Sequence, residues 1–271
     1  MRVFAIKSES DTSAKDLAYL LYYEKEKRFY IELPEDADVW ETPLLLSSFL
    51  KRGEKTVNSY WSLMWVRQRI VPSDRQNLGQ VLYENGLENY DEFELLMAGR
   101  GRCAQDDYFL SEISEDTLLK QFGNRYEKRI EDIVPLENGQ LLVFFRNGKL
   151  KKVDVKKIAV HDMQLSSILR QDRVFNTVAI QPGGYGVYWN ERAMVTDYVL
   201  YDIGCEIALS MDDFRSFVSH RVIGTAEAME LLSCTRQNMN DLIKRGRLTP
   251  VKREQKNTLF LKSEILQRNW H

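Results

Sequence analysis

Ile223-Gly224-Thr225-Ala226-Glu227-Ala228-Met229-Glu230-Leu231-Leu232-Ser233-Cys234-Thr235-Arg236-Gln237-Asn238-Met239-Asn240-Asp241-Leu242-Ile243-Lys244-Arg245-Gly246 is the stretch that decides how this chain is read. Apolar residues at 226, 229, 231 and 232 predict a short helix over 223–232 with one buried face. Ser233-Cys234 supplies a polar break, and Thr235 begins a second helix over 236–245. Gly246 stops it, as glycine does where the chain must turn left-handed. Residues 248–251, 252–257 and 258–261 then predict a hairpin with a basic tip, and 262–266 a brief closing helix. Two short helices joined by a three- or four-residue turn make a helix-turn-helix unit.

In that unit the second helix enters the major groove of DNA, with its N-terminal residues at the base edges. Arg236, Gln237 and Asn238 stand at that end, and Arg and Asn or Gln are the side chains that pair bidentately with guanine and adenine. Thr235 is assigned to the DNA backbone, and Lys244, Arg245, Arg247, Lys252, Arg253 and Lys256 to phosphates. Charge supports the assignment: residues 219–271 carry ten Lys and Arg against five Asp and Glu, a net +5, while the whole chain is −2 and the remainder therefore −7. Such asymmetry fits a nucleic-acid contact built onto an acidic body. The plainer alternative is a small helical cap with solvated cations. A single module of this size binds weakly, so a homodimer on a two-fold site is expected.

The order of elements resembles the winged helix-turn-helix of the MerR and excisionase group. The residues that carry the likeness are Thr225-Ala226-Glu227-Ala228 with Leu231-Leu232, Thr235-Arg236-Gln237, Ile243-Lys244-Arg245-Gly246-Arg247-Leu248, and Phe260 with Ser263-Glu264. It covers about a fifth of the chain.

At 271 residues and 44% hydrophobic content the chain can bury a substantial core in two or three domains. No run of eighteen apolar residues appears, so no membrane span is expected. The opening Met1-Arg2-Val3-Phe4-Ala5-Ile6-Lys7 is charged too soon for a signal peptide. Cys103, Cys205 and Cys234 are scattered, as reduced thiols of a cytoplasmic protein would be. No clustered Cys and His propose a zinc site, and no cofactor or metal is expected.

Between residues 126 and 218 the pattern turns to strands and tight turns. Ile130-Glu131-Asp132-Ile133-Val134-Pro135-Leu136, Leu141-Leu142-Val143-Phe144-Phe145 and Leu150-Lys151-Lys152-Val153-Asp154-Val155 are separated by Asn138-Gly139 and Asn147-Gly148, a strong hairpin signal. A three-stranded antiparallel meander is predicted, then a short helix near 166–169, a strand over 174–180, a turn at Pro182-Gly183-Gly184 and a strand over 186–189. Those glycines lead into another strand with no Lys following, so a turn is preferred to a phosphate loop. The stretch resembles a small bacterial α+β domain of unknown function, often found beside helix-turn-helix modules. Val143-Phe144-Phe145-Arg146-Asn147-Gly148, Val153-Asp154-Val155, Phe175-Asn176-Thr177-Val178, Val187-Tyr188-Trp189-Asn190 and Leu200-Tyr201-Asp202-Ile203-Gly204 carry this likeness. Its usual acidic residue is Glu191 or Asp197 here, and it implies a fold without an activity.

The first 125 residues predict strands at 3–6 and 28–33, strand or helix over 17–23, and helices over 62–71, 73–82 and 91–96. Trp40, Trp61 and Trp65 are read as core, the last two four apart on one helix face. Arg100-Gly101-Arg102 followed by Gln105-Asp106-Asp107 is either a capped loop or a phosphate-contacting one. Pro43-Leu44-Leu45-Leu46-Ser47, Val71-Pro72 with Arg75 and Leu78, Gly86-Leu87, Tyr90-Asp91-Glu92-Phe93-Glu94-Leu95-Leu96 and Gly99-Arg100-Gly101-Arg102-Cys103 are similar in rhythm to the N-terminal subdomain of HipA-type toxin kinases. That likeness implies contacts with an antitoxin partner; the kinase core and its motifs are absent.

The sequence therefore predicts an α+β multidomain chain. A mixed N-terminal domain spans 1–125, a small antiparallel-sheet domain 126–218 and a winged helix-turn-helix 219–271. No H-E-x-x-H, G-x-S-x-G or dinucleotide fingerprint is present, and no enzymatic activity is expected. Two functions remain: a cytoplasmic, dimeric, sequence-specific transcriptional regulator on double-stranded DNA whose N-terminal domains sense a ligand or bind a partner, or a non-catalytic, antitoxin-like adaptor whose helix-turn-helix docks a protein partner.

Overall fold

The computed structural model describes residues 1–10, 15–160, 162–190, 193–253 and 258–268, the side chains of residues 120 and 121 apart. The chain is α+β, with four small sheets among the described residues, and it divides into two compact units, Met1–Gly123 and Asn124–His271.

The first unit is built on an antiparallel sheet of β1 (Arg2–Ser8), β2 (Ala18–Tyr23) and β3 (Arg28–Glu32), followed by α1 (Leu44–Lys51), β4 (Thr56–Val57), α2 (Ser59–Arg67), α3 (Leu78–Glu84), α4 (Glu92–Ala98) and β5 (Tyr108–Ile113). The strand order is β4-β3-β2-β1-β5. Alternation puts Phe4, Ile6, Leu20, Tyr22, Phe29 and Ile31 on one face, in a core with Leu46, Phe49, Trp65, Val66, Phe93 and Leu96 of the helices. Tyr22 stacks on Phe93 with ring centroids 4.0 Å apart. The opposite face, with Ala5, Tyr19, Leu21 and Tyr30, is buried as well, and Tyr19 meets Phe122 edge-on at 5.3 Å. Phe122 breaks α5 (Glu115–Tyr126). A central strand buried on both sides is apolar at every position. That is why residues 17–23 carry no period that separates strand from helix.

Two expectations for this unit need correction. The helix read from Ser73 begins only at Leu78, because turns closed by Arg75 N–H to the Pro72 carbonyl and Leu78 N–H to the Arg75 carbonyl occupy the approach. Of the three tryptophans only Trp65 is core, at 1% exposure; Trp40 is 91% exposed and Trp61 43%. Trp40 sits in a turn where its own N–H bonds the Asp38 carboxylate. Trp61 is in the first turn of α2, whose inner positions are Ser62, Trp65 and Val66. The polar cluster at 100–107 ties the loop to its neighbours: Arg102 pairs with Glu9 at 2.8 Å, Asp106 pairs with Arg69 at 2.5 Å, and Asp107 accepts from Ser8 Oγ at 2.6 Å and Ser10 N–H at 3.1 Å.

The Ser10 and Ser8 bonds pull the Asp107 carboxyl from an ordinary 3.8 down to about 2. A depressed folded value means stability that is present above the unfolded value and lost as pH falls through the folded one. The stability gap between the parent and Asp107→Asn, open at neutral pH, is therefore expected to close between about pH 4 and pH 2. Urea midpoints of both proteins across that range check it; a gap that stays constant contradicts the assignment.

The second unit opens with β6 (Ile130–Leu136), β7 (Gln140–Phe145) and β8 (Leu150–Asp154), the antiparallel meander expected, its two connections at Asn138-Gly139 and Asn147-Gly148. It continues through α6 (Lys156–Ala159), α7 (Met163–Ile168), α8 (Asp172–Phe175), β9 (Ala179–Ile180), β10 (Gly186–Asn190), β11 (Ala193–Thr196), α9 (Asp197–Ile203) and β12 (Cys205–Glu206). β12 joins the first sheet at β8, and β9, β10 and β11 form a second. The strand read over 174–180 is instead the last turn of α8 followed by the two-residue β9; Asn176 N–H and Thr177 N–H still bond back into that turn. Gly184, at φ +78° in the turn before β10, has no room for a Cβ against the Ile130 carbonyl. The turn is built on close backbone approach to β6.

Beneath these sheets lies a buried ion pair, Arg129 Nη1 to Asp197 Oδ2 at 2.6 Å, with both side chains under a tenth exposed. The Arg129 guanidinium also lies 3.7 Å from the centroid of the Tyr185 ring.

Candidate nucleic-acid interface

The C-terminal elements are α10 (Met211–Arg221), β13 (Val222–Gly224), α11 (Thr225–Leu231), α12 (Arg236–Lys244), β14 (Lys252–Arg253), β15 (Thr258–Leu261) and α13 (Lys262–Gln267). Helix α10 begins in a capping box between Ser210 and Asp213 and crosses the 218/219 boundary drawn from sequence. Ile223 and Gly224, read as the start of a helix, belong to strand β13: Ile223 pairs with Phe260, and β13-β15-β14 form a small antiparallel sheet. β-branched Val222 and Ile223 beside Gly224 suit a strand better than a first helical turn. The hairpin strand expected at 248–251 falls later, at Lys252–Arg253, since Leu248 is taken into the core.

Ile223, Ala228, Met239, Leu248, Phe260 and Ile265 form the core of this region, with Met229, Leu231, Leu232, Leu242 and Ile243 packed around it. Both helices and the β14–β15 hairpin are thus held in one small module. Ser233 takes a left-handed conformation at φ +49° between the helices. Thr235 Oγ1 accepts from Asn238 N–H at 3.3 Å and caps α12. Gly246 follows at φ +66°.

Thr235, Arg236, Gln237, Asn238, Lys244, Arg245, Arg247, Lys252 and Arg253 are all exposed. Lys256 and the rest of the hairpin tip, 254–257, lie outside the described residues. With 3.6 residues per turn, Gln237, Asp241 and Lys244 stand opposite buried Met239, Asn238 and Asn240 flank that face on either side, and Arg236 is exposed at the N-terminal end of the helix nearer the buried stripe. Asp241 belongs to the outer face and Asn240 to its edge, and neither is marked by the first helical turn; the helical period of Met239, Leu242 and Ile243 is the signal that places them. Asn pairs with adenine, and Asp accepts from the cytosine amino group. Arg221 and Lys262 do not add to the outer charge. Lys262 pairs with Glu227 at 3.0 Å, and Arg221 is buried.

Arg221 faces Asp132 of β6 in an ion pair that anchors the module. Asp132 is 3% exposed, and a register shift between Ile130 and Asp132 marks a bulge there, a device that re-aims a side chain. Burial raises the Asp132 carboxyl pKa, against the opposing pull of Arg221 and the Ser263 hydroxyl. Gln267 Nε2 donates to the Glu131 carbonyl at 3.3 Å. Phe217 of α10 packs on Phe144 of β7 at 5.0 Å, and Lys152 of β8 bridges to Asp213 at 3.0 Å.

No group of three or more His, Cys, Asp and Glu among the described residues is placed to hold a metal ion. No helix of the described residues is long and apolar enough to cross a membrane. No family model, no curated protein and no solved structure matches the chain.

Proposed function

We propose that this chain is a sequence-specific transcriptional regulator that binds double-stranded DNA, as a cytoplasmic homodimer, through a MerR-like winged helix-turn-helix. The observation that carries the reading is the outer face of α12. On a capped helix held by its own apolar core, that face presents Gln237, Asp241 and Lys244, flanked by Asn238, Asn240 and Arg245, with Arg236 exposed at the N-terminal end of the helix and cationic Lys252 and Arg253 on the adjoining hairpin. A helix in the major groove needs amide and guanidinium groups outward, and a wing needs cations for phosphates. The test is fluorescence anisotropy of the full chain against DNA from its own upstream region and a scrambled duplex at several salt concentrations, with Arg236→Ala/Gln237→Ala alongside. Preference for the native duplex that the variant loses while remaining folded supports a regulator. Equal, weak binding to both duplexes rejects it in favour of the protein-docking adaptor.

A further inference from the structure

Helix α10 is held to the meander by one face. Asp213, Phe217 and Arg221, each four residues from the next, meet Lys152, Phe144 and Asp132 there. Met211, Phe214 and Val218 stand at the i, i+3, i+7 spacing of a second stripe, and they are 67%, 46% and 40% exposed. Leu209, two residues ahead of Met211, is exposed as well. Apolar side chains scattered singly over a surface are ordinary, whereas a contiguous run of them marks an interaction site. At about 100° per residue this stripe lies beside the docked face, and Asp212 and Arg215 line its solvent side. Both are exposed, and they pair with each other at 3.1 Å.

We propose that a second copy of this chain covers the stripe, two α10 helices packing antiparallel about a two-fold axis between Phe214 and Arg215. A two-fold contact must be self-complementary, because the same patch meets itself. The apolar residues meet that demand. The midpoint of Met211 and Val218 falls at 214–215, so Met211 of one copy lies over Val218 of the other and the two Phe214 side chains meet at the centre. The charges meet it too. Asp212 of one copy falls level with residue 217 of the other, about 3 Å along the axis from that copy's Arg215, against about 4.5 Å for the pair within one chain. Each guanidinium thus stands between two carboxylates, and the rim carries two positive and two negative charges. Stripe and rim can bury on the order of 600 Å² per copy, about 1,200 Å² in all, the lower end of the range for specific interfaces. This contact gives the homodimer proposed above its surface, and it rests on that part of the reading.

The experiment contains no DNA, so failure here and failure of the DNA contact are separable. Sedimentation equilibrium of the full chain is expected to show a monomer–dimer equilibrium with a Kd on the order of 10 µM, as suits an interface of that size. Phe214→Glu sets a charge at the centre of the contact and weakens association roughly 30-fold, with the far-UV circular dichroism of the parent. Asp212→Arg and Arg215→Asp each bring four like charges together in their own dimers and weaken association roughly tenfold. Mixed in equal amounts, these two variants recover a dimer of parental strength, since two arginines then face two aspartates. A role confined to the pair within one helix gives no such rescue. The charge variants keep the apolar stripe, so they decide the matter whatever glutamate does to folding at 214. A parent that stays monomeric overturns the proposal and the homodimer with it. A dimer that Phe214→Glu leaves intact has its contact elsewhere and overturns the proposal alone. Absence of rescue in the mixture overturns the antiparallel register.

Discussion

If the proposed DNA contact is right, changing Lys244, Arg245 and Arg253 together to glutamine is expected to lower the slope of log affinity against log salt by about 3, since each phosphate contact contributes about 0.9. Between 50 and 200 mM salt the parent then loses roughly 40-fold more affinity than the variant. Native and scrambled duplexes are weakened alike, because phosphate contacts carry no sequence information. Gln237→Ala behaves oppositely. It leaves the slope alone, as an uncharged residue must, and removes about 1–3 kcal/mol of preference for the native duplex. Anisotropy titrations over a salt series measure both quantities in one experiment. A slope unchanged in the triple variant would mean that these exposed cations do not meet phosphate.

Asp197→Ala is expected to cost about 3–5 kcal/mol of folding stability, the usual result of stripping one partner from a buried ion pair. Arg129 would keep its charge under the sheets while losing its carboxylate at 2.6 Å, and the Tyr185 ring face would not replace it. Against a typical domain stability of about 5–15 kcal/mol this is close to disabling. Arg129→Met/Asp197→Leu is expected to be the milder variant, because nothing charged remains to be desolvated. Urea denaturation of the parent and both variants ranks them; a loss below about 1 kcal/mol in Asp197→Ala would class the pair with surface salt bridges.

What could be read in advance follows local chemistry. Two Asn-Gly turns between apolar runs announced β6, β7 and β8, because that dipeptide carries its own conformational preference. Helix α12 could be placed by residue, since Thr235, Gly246 and an apolar 239/242/243 stripe are all local signals. β5 was not foreseen at all. Residues 108–113 are only half-buried, so their alternation is weak, and what makes them a strand is pairing with β1 about a hundred positions earlier. The same limit hid the buried ion pairs. Asp132 and Arg221, or Arg129 and Asp197, are ordinary charges in the sequence and become informative only when burial and partner are known. Asp132 did leave one trace, an acidic residue beside another acid within an otherwise apolar strand. The outer face of α12 was legible in part: its first turn was marked by residue type, while Asn240 and Asp241 needed the helix to be turned about its buried side.

Arg221 is the last residue of the helix that enters the winged module, yet its charge is answered from β6, and Ser263 and Gln267 reach back to the same strand. The C-terminal module therefore cannot be excised cleanly. A fragment cut at 218/219 would carry away a stub of α10 and a guanidinium with no carboxylate, and would leave behind an acid sunk in a sheet bulge with nothing to neutralise it. A transplantable version begins upstream of Ser210 and brings β6, β7 and β8 with it as a pedestal.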